Sequence, residues 1–192
     1  MSKEKSKKHW TNWHHKLHKD LLNKKELIPN ETNLLIAVSG GQDSMALLTL
    51  FNDLKPLYNW TIDVWHGNHN WHEQSGIYAK ELNDFCEESK IHFHLDIANS
   101  IDVSSEEKAR QWRYLRLEQK AKELSLKRKL KNNISILTGH TSTDNVETFF
   151  LNLARGSNYN GLGGIKKKSF LNNNYSLIRP FLIFSREDTS DI

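Results

Sequence analysis

The sequence has little cysteine and no long apolar run, and each absence excludes a class of protein. One of the 192 residues is cysteine, Cys86, so a disulfide framework and a metal or iron–sulfur centre held by several cysteines are excluded. No segment approaches the roughly 18 apolar residues of a membrane-spanning helix. The charged start MSKEKSKKHW precedes no apolar stretch of the kind found in secretion signals. We therefore expect a soluble, non-secreted protein with no membrane partner.

The charge balance decides little by itself. Lys and Arg number 27 against 23 Asp and Glu, a net charge of +4, which weakly favours a polyanionic partner. Ten histidines and six tryptophans among these basic residues are typical of surfaces that stack on bases and contact phosphates. Burial in the core is the alternative for each tryptophan, because large aromatic rings are mostly buried.

Hydrophobic periodicity predicts an α/β domain. Residues 1–30 are predicted to form a basic arm and a short amphipathic helix, and residues 31–192 the α/β domain. Five segments have the pattern of short strands, namely 34–38, 61–65, 91–97, 134–138 and 176–181, and helical segments at 44–54, 75–89, 104–130 and 142–155 separate them. Such strands pair as parallel neighbours through right-handed crossovers. We predict a doubly wound parallel sheet with flanking helices, and a loop over 158–176.

A glycine-rich turn, SGGQDS at 39–44, joins the first predicted strand to the next helix. Such a turn directs backbone N–H groups at a bound anion, and the helix N-terminus adds a favourable partial charge. It is neither a Walker A loop nor a dinucleotide fingerprint, because it has no Lys-Ser/Thr pair and no Gly-x-Gly-x-x-Gly. The carboxylate of Asp43 beside a phosphate site fits a role in holding Mg²⁺. The alternative is a tight turn in which Asp43 or Ser44 caps the helix.

A second polar segment, TGHTSTDNVET at 138–148, follows another predicted strand. His140 and Asp144 are therefore expected at the carboxyl end of the sheet. If the strand order reverses beside the first strand, this segment and the turn at 39–44 flank one crevice, where ligands bind in such sheets. Helix capping by Asp144 and a purely structural His140 are the alternatives.

The turn at 39–44 resembles the PP-loop of the ATP pyrophosphatase superfamily, whose members cleave ATP between the α- and β-phosphates and adenylate an acceptor. The segment 138–148 closely resembles the second motif of the tRNA(Ile)-lysidine synthetases. Thr141 and Thr143 stand where many members of that family have a second histidine and a second aspartate. Further matches to the family follow its order, namely HGNHNW (66–71), SSEEKARQWRYLRL (104–117), LARGSNYNGLGGI (153–165) and IRPFLIFSR (178–186).

The resemblance implies an adenine nucleotide alpha hydrolase-like fold with a PP-loop ATP-binding catalytic domain over 31–192. It implies that ATP, with Mg²⁺, adenylates C2 of the wobble cytidine of a CAU-anticodon tRNA(Ile), and that the ε-amine of L-lysine then displaces AMP. The pyrophosphate portion of ATP would lie against Ser39, Gly40, Gly41, Gln42, Asp43 and Ser44. Asp43, on Mg²⁺, and His140 and Asp144 form the predicted catalytic set. Which of His140 and Asp144 handles the lysine proton is open.

Six further residues are predicted to contact substrate or phosphate: His66, His69, Arg110, Arg113, Arg155 and Arg179. The two histidines could bind zinc only with further ligands, and packing is their other alternative. Arg110 and Arg113 share one helix face, where ion pairs with Glu106 or Glu107 are the alternative to a contact with ATP or tRNA phosphate.

Two other functions stay open at this point. A PP-loop thiolase that uses persulfide or iron–sulfur chemistry needs more than Cys86. A non-catalytic nucleotide- or tRNA-binding module is the other, because the tRNA-recognition region expected at the C-terminus of the family is absent from these residues. AMP production distinguishes an enzyme from such a module. The sequence leaves a homodimer open. Its richness in Lys, Asn and Ile indicates an AT-rich genome, which favours a bacterial cytoplasm over a plastid.

Overall fold

The elements of the chain alternate between strands and helices along most of its length. The structure is a computed structural model that describes residues 10–130, 134–156, 163–172 and 175–192. The elements in these ranges are α1 (Asn12–Asn23), β1 (Asn33–Ala37), α2 (Gln42–Tyr58), β2 (Thr61–Asn68), α3 (Ser75–Glu88), β3 (His92–Ile97), α4 (Glu106–Lys127), β4 (Ile134–Thr138), α5 (Ser142–Ala154), β5 (Lys168–Leu171), β6 (Tyr175–Ile178), a 3₁₀ turn (Pro180–Ile183) and α6 (Arg186–Ser190).

The strands form one sheet in the order β3-β2-β1-β4-β6-β5. All neighbouring pairs are parallel except β5 and β6, which are antiparallel. The chain progresses from β1 outward to β3 and then returns to the other side of β1 with β4, so the strand order reverses beside β1. The predicted doubly wound sheet is confirmed. In such a sheet the carboxyl ends of β1 and β4 flank the crevice in which ligands bind.

The prediction of a loop over 158–176 is wrong where it overlaps the two last strands. Lys168–Leu171 pairs as an edge strand with Tyr175–Ile178, and residues 157–162 and 173–174 lie outside the described part of the chain. The edge strand contains only four residues, and exposed Lys168 and Phe170 alternate with half-buried neighbours. A short charged edge strand of this kind is hard to distinguish from a loop by composition.

Both faces of the sheet are covered. On one face, Leu34 and Ile36 of β1 pack with α2 residues such as Leu47 and Phe51, and with Leu17 and Leu21 of α1. On the other face, Leu35 and Ile136 pack against α4 through Leu117, Ala121 and Leu124. Burial on both faces explains why the central strands are continuous apolar runs. Helix α1 thus belongs to the same core as the sheet.

A buried carboxylate lies near the amino-terminal end of β2. Asp63 is 1% exposed and accepts two hydrogen bonds from the guanidinium of Arg128, at 2.6 and 2.9 Å, and one from His94 at 3.1 Å. Burial opposes ionisation, but the hydrogen bonds from His94 and Arg128 outweigh it and hold the pKa of Asp63 below its usual value. The cluster ties the end of α4 to β2 and β3.

None of the helices in the described ranges is both long enough and apolar enough to cross a membrane.

Candidate active site

A cavity of about 410 Å³ opens at the carboxyl edge of the sheet, where the strand order reverses. Its walls come from the carboxyl ends of β1, β2 and β4, from the turns that follow them, and from residues of α2, α3, α4 and α5. It brings together these residues predicted from the sequence: Ser39, Asp43, Ser44, His66, His69, Arg113, His140 and Asp144. The two segments expected to flank one crevice therefore do so.

The turn after β1 is held in shape by its own serine side chains. The Ser39 N–H donates to Ser44 Oγ at 3.1 Å, the Gly41 N–H donates to Ser39 Oγ at 3.2 Å, and Ser44 Oγ donates to the Gly41 carbonyl at 2.8 Å. Gly40 has a φ of +86°, a conformation that glycine adopts without steric cost. Gly41 is the N-cap of α2, so no capping side chain competes with an anion for the first N–H groups of the helix.

Helix α6 contacts this turn from the other end of the chain. Gln42 Nε2 donates to the Arg186 carbonyl at 2.7 Å and to Thr189 Oγ1 at 2.8 Å. Thr189 Oγ1 in turn donates to Asp43 Oδ1. The side chain of Gln42 is therefore engaged with α6, and Asp43 is fixed from the same side.

Three carboxylates converge on one guanidinium. Arg186 donates to Asp144 Oδ1 at 2.8 Å and to Glu147 Oε1 at 3.2 Å, and its Nε lies 3.7 Å from Asp43 Oδ2. The charges of Glu147, Asp144 and Asp43 raise the pKa of Arg186. Arg186 was not among the site residues predicted from the sequence. It is the last residue of the segment 178–186 that resembles the family, and that resemblance was the one signal that could have identified it.

Asp144 both caps α5 and faces the cavity. Its Oδ2 accepts from the backbone N–H and the hydroxyl of Thr141, at 2.6 and 2.9 Å, in a capping box. Burial acts to raise its pKa, but the bonds from Thr141 and the charge of Arg186 outweigh burial, so the pKa of Asp144 lies below its usual value. The carboxylate is thus held ionised, with Oδ1 directed to a cation.

His140 is a neutral imidazole at neutral pH. Burial, followed by the positive charge of Arg179, lowers the pKa of His140 to about 4. Its Nδ1 lies 2.9 Å from Thr138 Oγ1. This arrangement suits a hydrogen-bonding group better than a proton acceptor, because a group with so low a pKa is a weak base at pH 7.

The remaining predicted residues divide between the cavity and its surroundings. Arg113 lines the cavity, where burial lowers its pKa, whereas the guanidinium of Arg110 lies 5.3 Å from the ring centre of Tyr114. His66 also lines the cavity, and its Nδ1 is bonded to the Val38 carbonyl at 2.7 Å. Within the described ranges no group of three or more His, Cys, Asp or Glu could hold a metal ion.

Arg179 and Arg155 do not line the cavity. Arg179 is buried and donates to the Lys166 carbonyl at 2.8 Å and to Ser169 Oγ at 3.0 Å. Its guanidinium is therefore bonded to β5 and the segment before it, and its charge acts on His140. Arg155 is the exposed C-cap residue of α5.

Among solved structures, the fold is similar to a U34-tRNA thiolase from Methanococcus maripaludis, with a TM-score of 0.67 and 17% identity over 92% of this chain and 60% of that one. An NMN synthetase from Francisella tularensis aligns over 94% of this chain and 68% of its own, with a TM-score of 0.53 and 12% identity. At these identities the likeness concerns the fold alone.

Curated relatives are closer in sequence. A tRNA(Ile)-lysidine synthase of Prochlorococcus marinus subsp. pastoris is 58% identical over 97% of this chain and 56% of its own length. A chloroplastic tRNA(Ile)-lysidine synthase of Pyropia yezoensis is 35% identical over 92% of this chain and 51% of its own. The chain therefore spans about half the length of these relatives. The sequence model of the PP-loop domain matches residues 11–192, and the chain belongs to the PP-loop domain family.

Proposed function

We propose that the chain is the ATP-using part of an enzyme that joins L-lysine to C2 of the wobble cytidine in a CAU-anticodon tRNA(Ile), giving lysidine, AMP and pyrophosphate. The observation that carries the proposal is 58% identity, over nearly the whole chain, to a relative named tRNA(Ile)-lysidine synthase. The cavity supports it, because the glycine-rich turn and the carboxylates of Asp43 and Asp144 face the same space.

The first step needs a site for departing pyrophosphate. The turn at 39–44 and the N-terminus of α2 supply N–H groups and a positive partial charge for it. Mg²⁺ binds proteins through one or two carboxylates and otherwise takes phosphate oxygens and water, so Asp43 beside the turn fits as its ligand. When bound, the ion neutralises the charge that develops on the leaving group.

The second step needs a site for the lysine amine. Asp144 and Glu147 already hold the guanidinium of Arg186, and the same carboxylates would orient an ammonium group once Arg186 gives way. Asp144 has too low a pKa to be a strong base, so we assign it the orientation of the amine. The proton that the ammonium group loses would pass to water, and neutral His140 would then hydrogen-bond the amine or the acceptor.

The test is AMP release from ATP, measured with and without lysine and unmodified CAU-anticodon tRNA(Ile), followed by mass analysis of the wobble base. We expect AMP only when both are present, and a mass gain equal to lysine less one water. AMP formed with another acceptor would leave the ATP chemistry standing and reject the substrate assignment. ATP binding without AMP under any condition would favour the binding module.

A thiolase is less well supported. The one cysteine of the sequence, Cys86, is buried on α3, and burial raises its pKa to about 11. It is therefore a protonated thiol at neutral pH, whereas sulfur chemistry requires the thiolate.

ATP affinity should depend on the close approach of two turns at Gly139. A Cβ added there would lie 3.0 Å from the Asp43 carbonyl oxygen and 3.1 Å from the Ser44 Cα, backbone atoms that cannot rotate away. We expect Gly139→Ala to weaken ATP binding about tenfold by shifting the turn at 39–44. Calorimetric titration measures this, with Gly76→Ala as the matched control, because a Cβ at Gly76 meets nothing within 4 Å. Equal affinities for the two variants would contradict the prediction.

Three further assignments remain proposals. We place the protein in a bacterial cytoplasm, although the chloroplastic relative keeps a plastid open. The division at residue 30 between the N-terminal arm with its helix and the catalytic domain stays a prediction from the sequence, whereas α1 packs in the same core as the sheet. A homodimer is the third proposal. A measurement of the protein's mass in solution would distinguish a dimer from a monomer.

A further inference from the structure

A second cavity, of about 320 Å³, lies beside the first one. Its walls are formed by the turn after β2 and by the β3–α4 connection, through His69, Asn70, Trp71, Ser100, Val103 and Ser104. His69, Asn70 and Trp71 also line the first cavity, so these residues form the partition between the two. Nothing in the proposed chemistry of ATP and lysine uses the second cavity.

Trp71 is a fixed aromatic ring with half of its surface exposed. It is 51% exposed, yet its indole N–H donates to the Val103 carbonyl at 3.1 Å, and its ring centre lies 4.7 Å from that of His69. Asn70, with a φ of +55°, makes the sharp turn that precedes it. A ring whose polar atom is satisfied and whose position is fixed offers an apolar flat surface at low entropic cost.

The neighbours of Trp71 suit a nucleobase. Among the described residues, the buried Nε2 of His69 has no hydrogen-bond partner, and burial lowers the pKa of this imidazole. It is therefore a neutral group with an unused polar atom, which a small rotation of the ring would bring to a base edge. Tyr78, another half-exposed ring, lines the first cavity with its hydroxyl donating to Gln74 at 2.9 Å. Arg113 also lines the first cavity, and its positive charge acts on His69.

We propose that the second cavity holds an unstacked nucleobase of the RNA acceptor, stacked on Trp71 and bonded by His69. The inference rests on the proposed function. The phosphates of ATP are assigned to the turn at 39–44, on another wall of the first cavity, and the reacting cytidine must leave its stack to reach them. A base beside it then loses its stacking partner, and Trp71 replaces that partner.

The test is the affinity of the 192-residue chain for a synthetic CAU anticodon stem-loop RNA, measured by fluorescence anisotropy without ATP or lysine. Because one base–aromatic stack contributes strongly to RNA binding, Trp71→Ala should weaken the affinity by about 10- to 100-fold. Trp71→Phe should retain most of it. Phe170→Ala is the matched control, because Phe170 is 56% exposed on β5, at the opposite edge of the sheet.

Two outcomes would overturn the proposal. One is an RNA affinity that Trp71→Ala does not change, including no measurable affinity for either protein. The other is a loss of ATP affinity with RNA affinity unchanged, which would assign the ring to adenine. Because RNA binding is measured without turnover, a Trp71-dependent affinity together with AMP release that needs another acceptor would reject the proposed function and leave the base site standing.

Discussion

Asp43→Asn should lower lysine- and tRNA-dependent AMP release by about 100-fold or more, because it removes a charge from the position at which pyrophosphate departs. Asparagine keeps an oxygen that can accept from Thr189, so the contact between α6 and the turn is preserved. The loss should therefore appear in turnover, and the melting temperature and RNA affinity should change little.

The measurement is a single-turnover AMP assay at saturating ATP and Mg²⁺. Asp84→Asn is the matched control, since Asp84 is an exposed partner of Lys80 on α3. AMP release within a few-fold of the unmodified chain would remove Asp43 from the catalytic set. Unfolding of Asp43→Asn would instead assign the residue a structural role.

Asp63→Ala should lower the free energy of unfolding by about 3 kcal/mol, since it leaves the charge of Arg128 without its partner in a largely buried place. Arg128 and His94 are 24% and 21% exposed at their side chains, against 2% for Asp63, so water screens the remaining charges only in part. Urea unfolding at pH 7 measures the change, with Asp84→Ala as control.

The effect of Asp63 should depend on pH in a defined direction. Its pKa is lowered by folding, so its contribution is complete above the unfolded value of about 3.9 and is lost as the pH falls through the folded value. The difference in stability between Asp63→Ala and the unmodified chain should therefore shrink in acid. A difference that is constant down to the acid transition would show that packing, and not charge, accounts for it.

The crevice could be predicted from the sequence because two short segments, each following an apolar strand, indicate it. SGGQDS after an apolar strand implies a phosphate turn, and TGHTSTDNVET after another implies a second polar turn at the same edge of a parallel sheet. The capping pattern from Thr141 to Asp144 is equally local. Of the alternatives offered for Asp144, the cap is realised through Oδ2, while Oδ1 bonds Arg186 and the role of a site carboxylate stays a prediction.

The contacts between distant segments could not be predicted. Arg186 lies 2.8 Å from Asp144 and 3.7 Å from Asp43, and no periodicity tells which exposed arginine meets which carboxylate. The tryptophans show the same limit: Trp60 and Trp65 are buried, whereas Trp71 is half exposed. Composition does not distinguish a buried tryptophan from an exposed one. The tertiary environment of each ring determines its exposure.

The central position of β1 has a consequence for how the protein folds. Its neighbours are β2, which follows closely in sequence, and β4, whose Ile134 aligns with Asn33 from roughly one hundred positions further along the chain. Pairing of β1 with β2 closes a short loop, whereas pairing of β1 with β4 closes a long one. Because closing the longer loop costs more conformational entropy, the second pair should form more slowly. Since the turns after β1 and β4 meet only when that second pair has formed, the ability to bind nucleotide should emerge late in folding. An incompletely folded chain would then have its glycine-rich turn without the facing turn that carries His140 and Asp144.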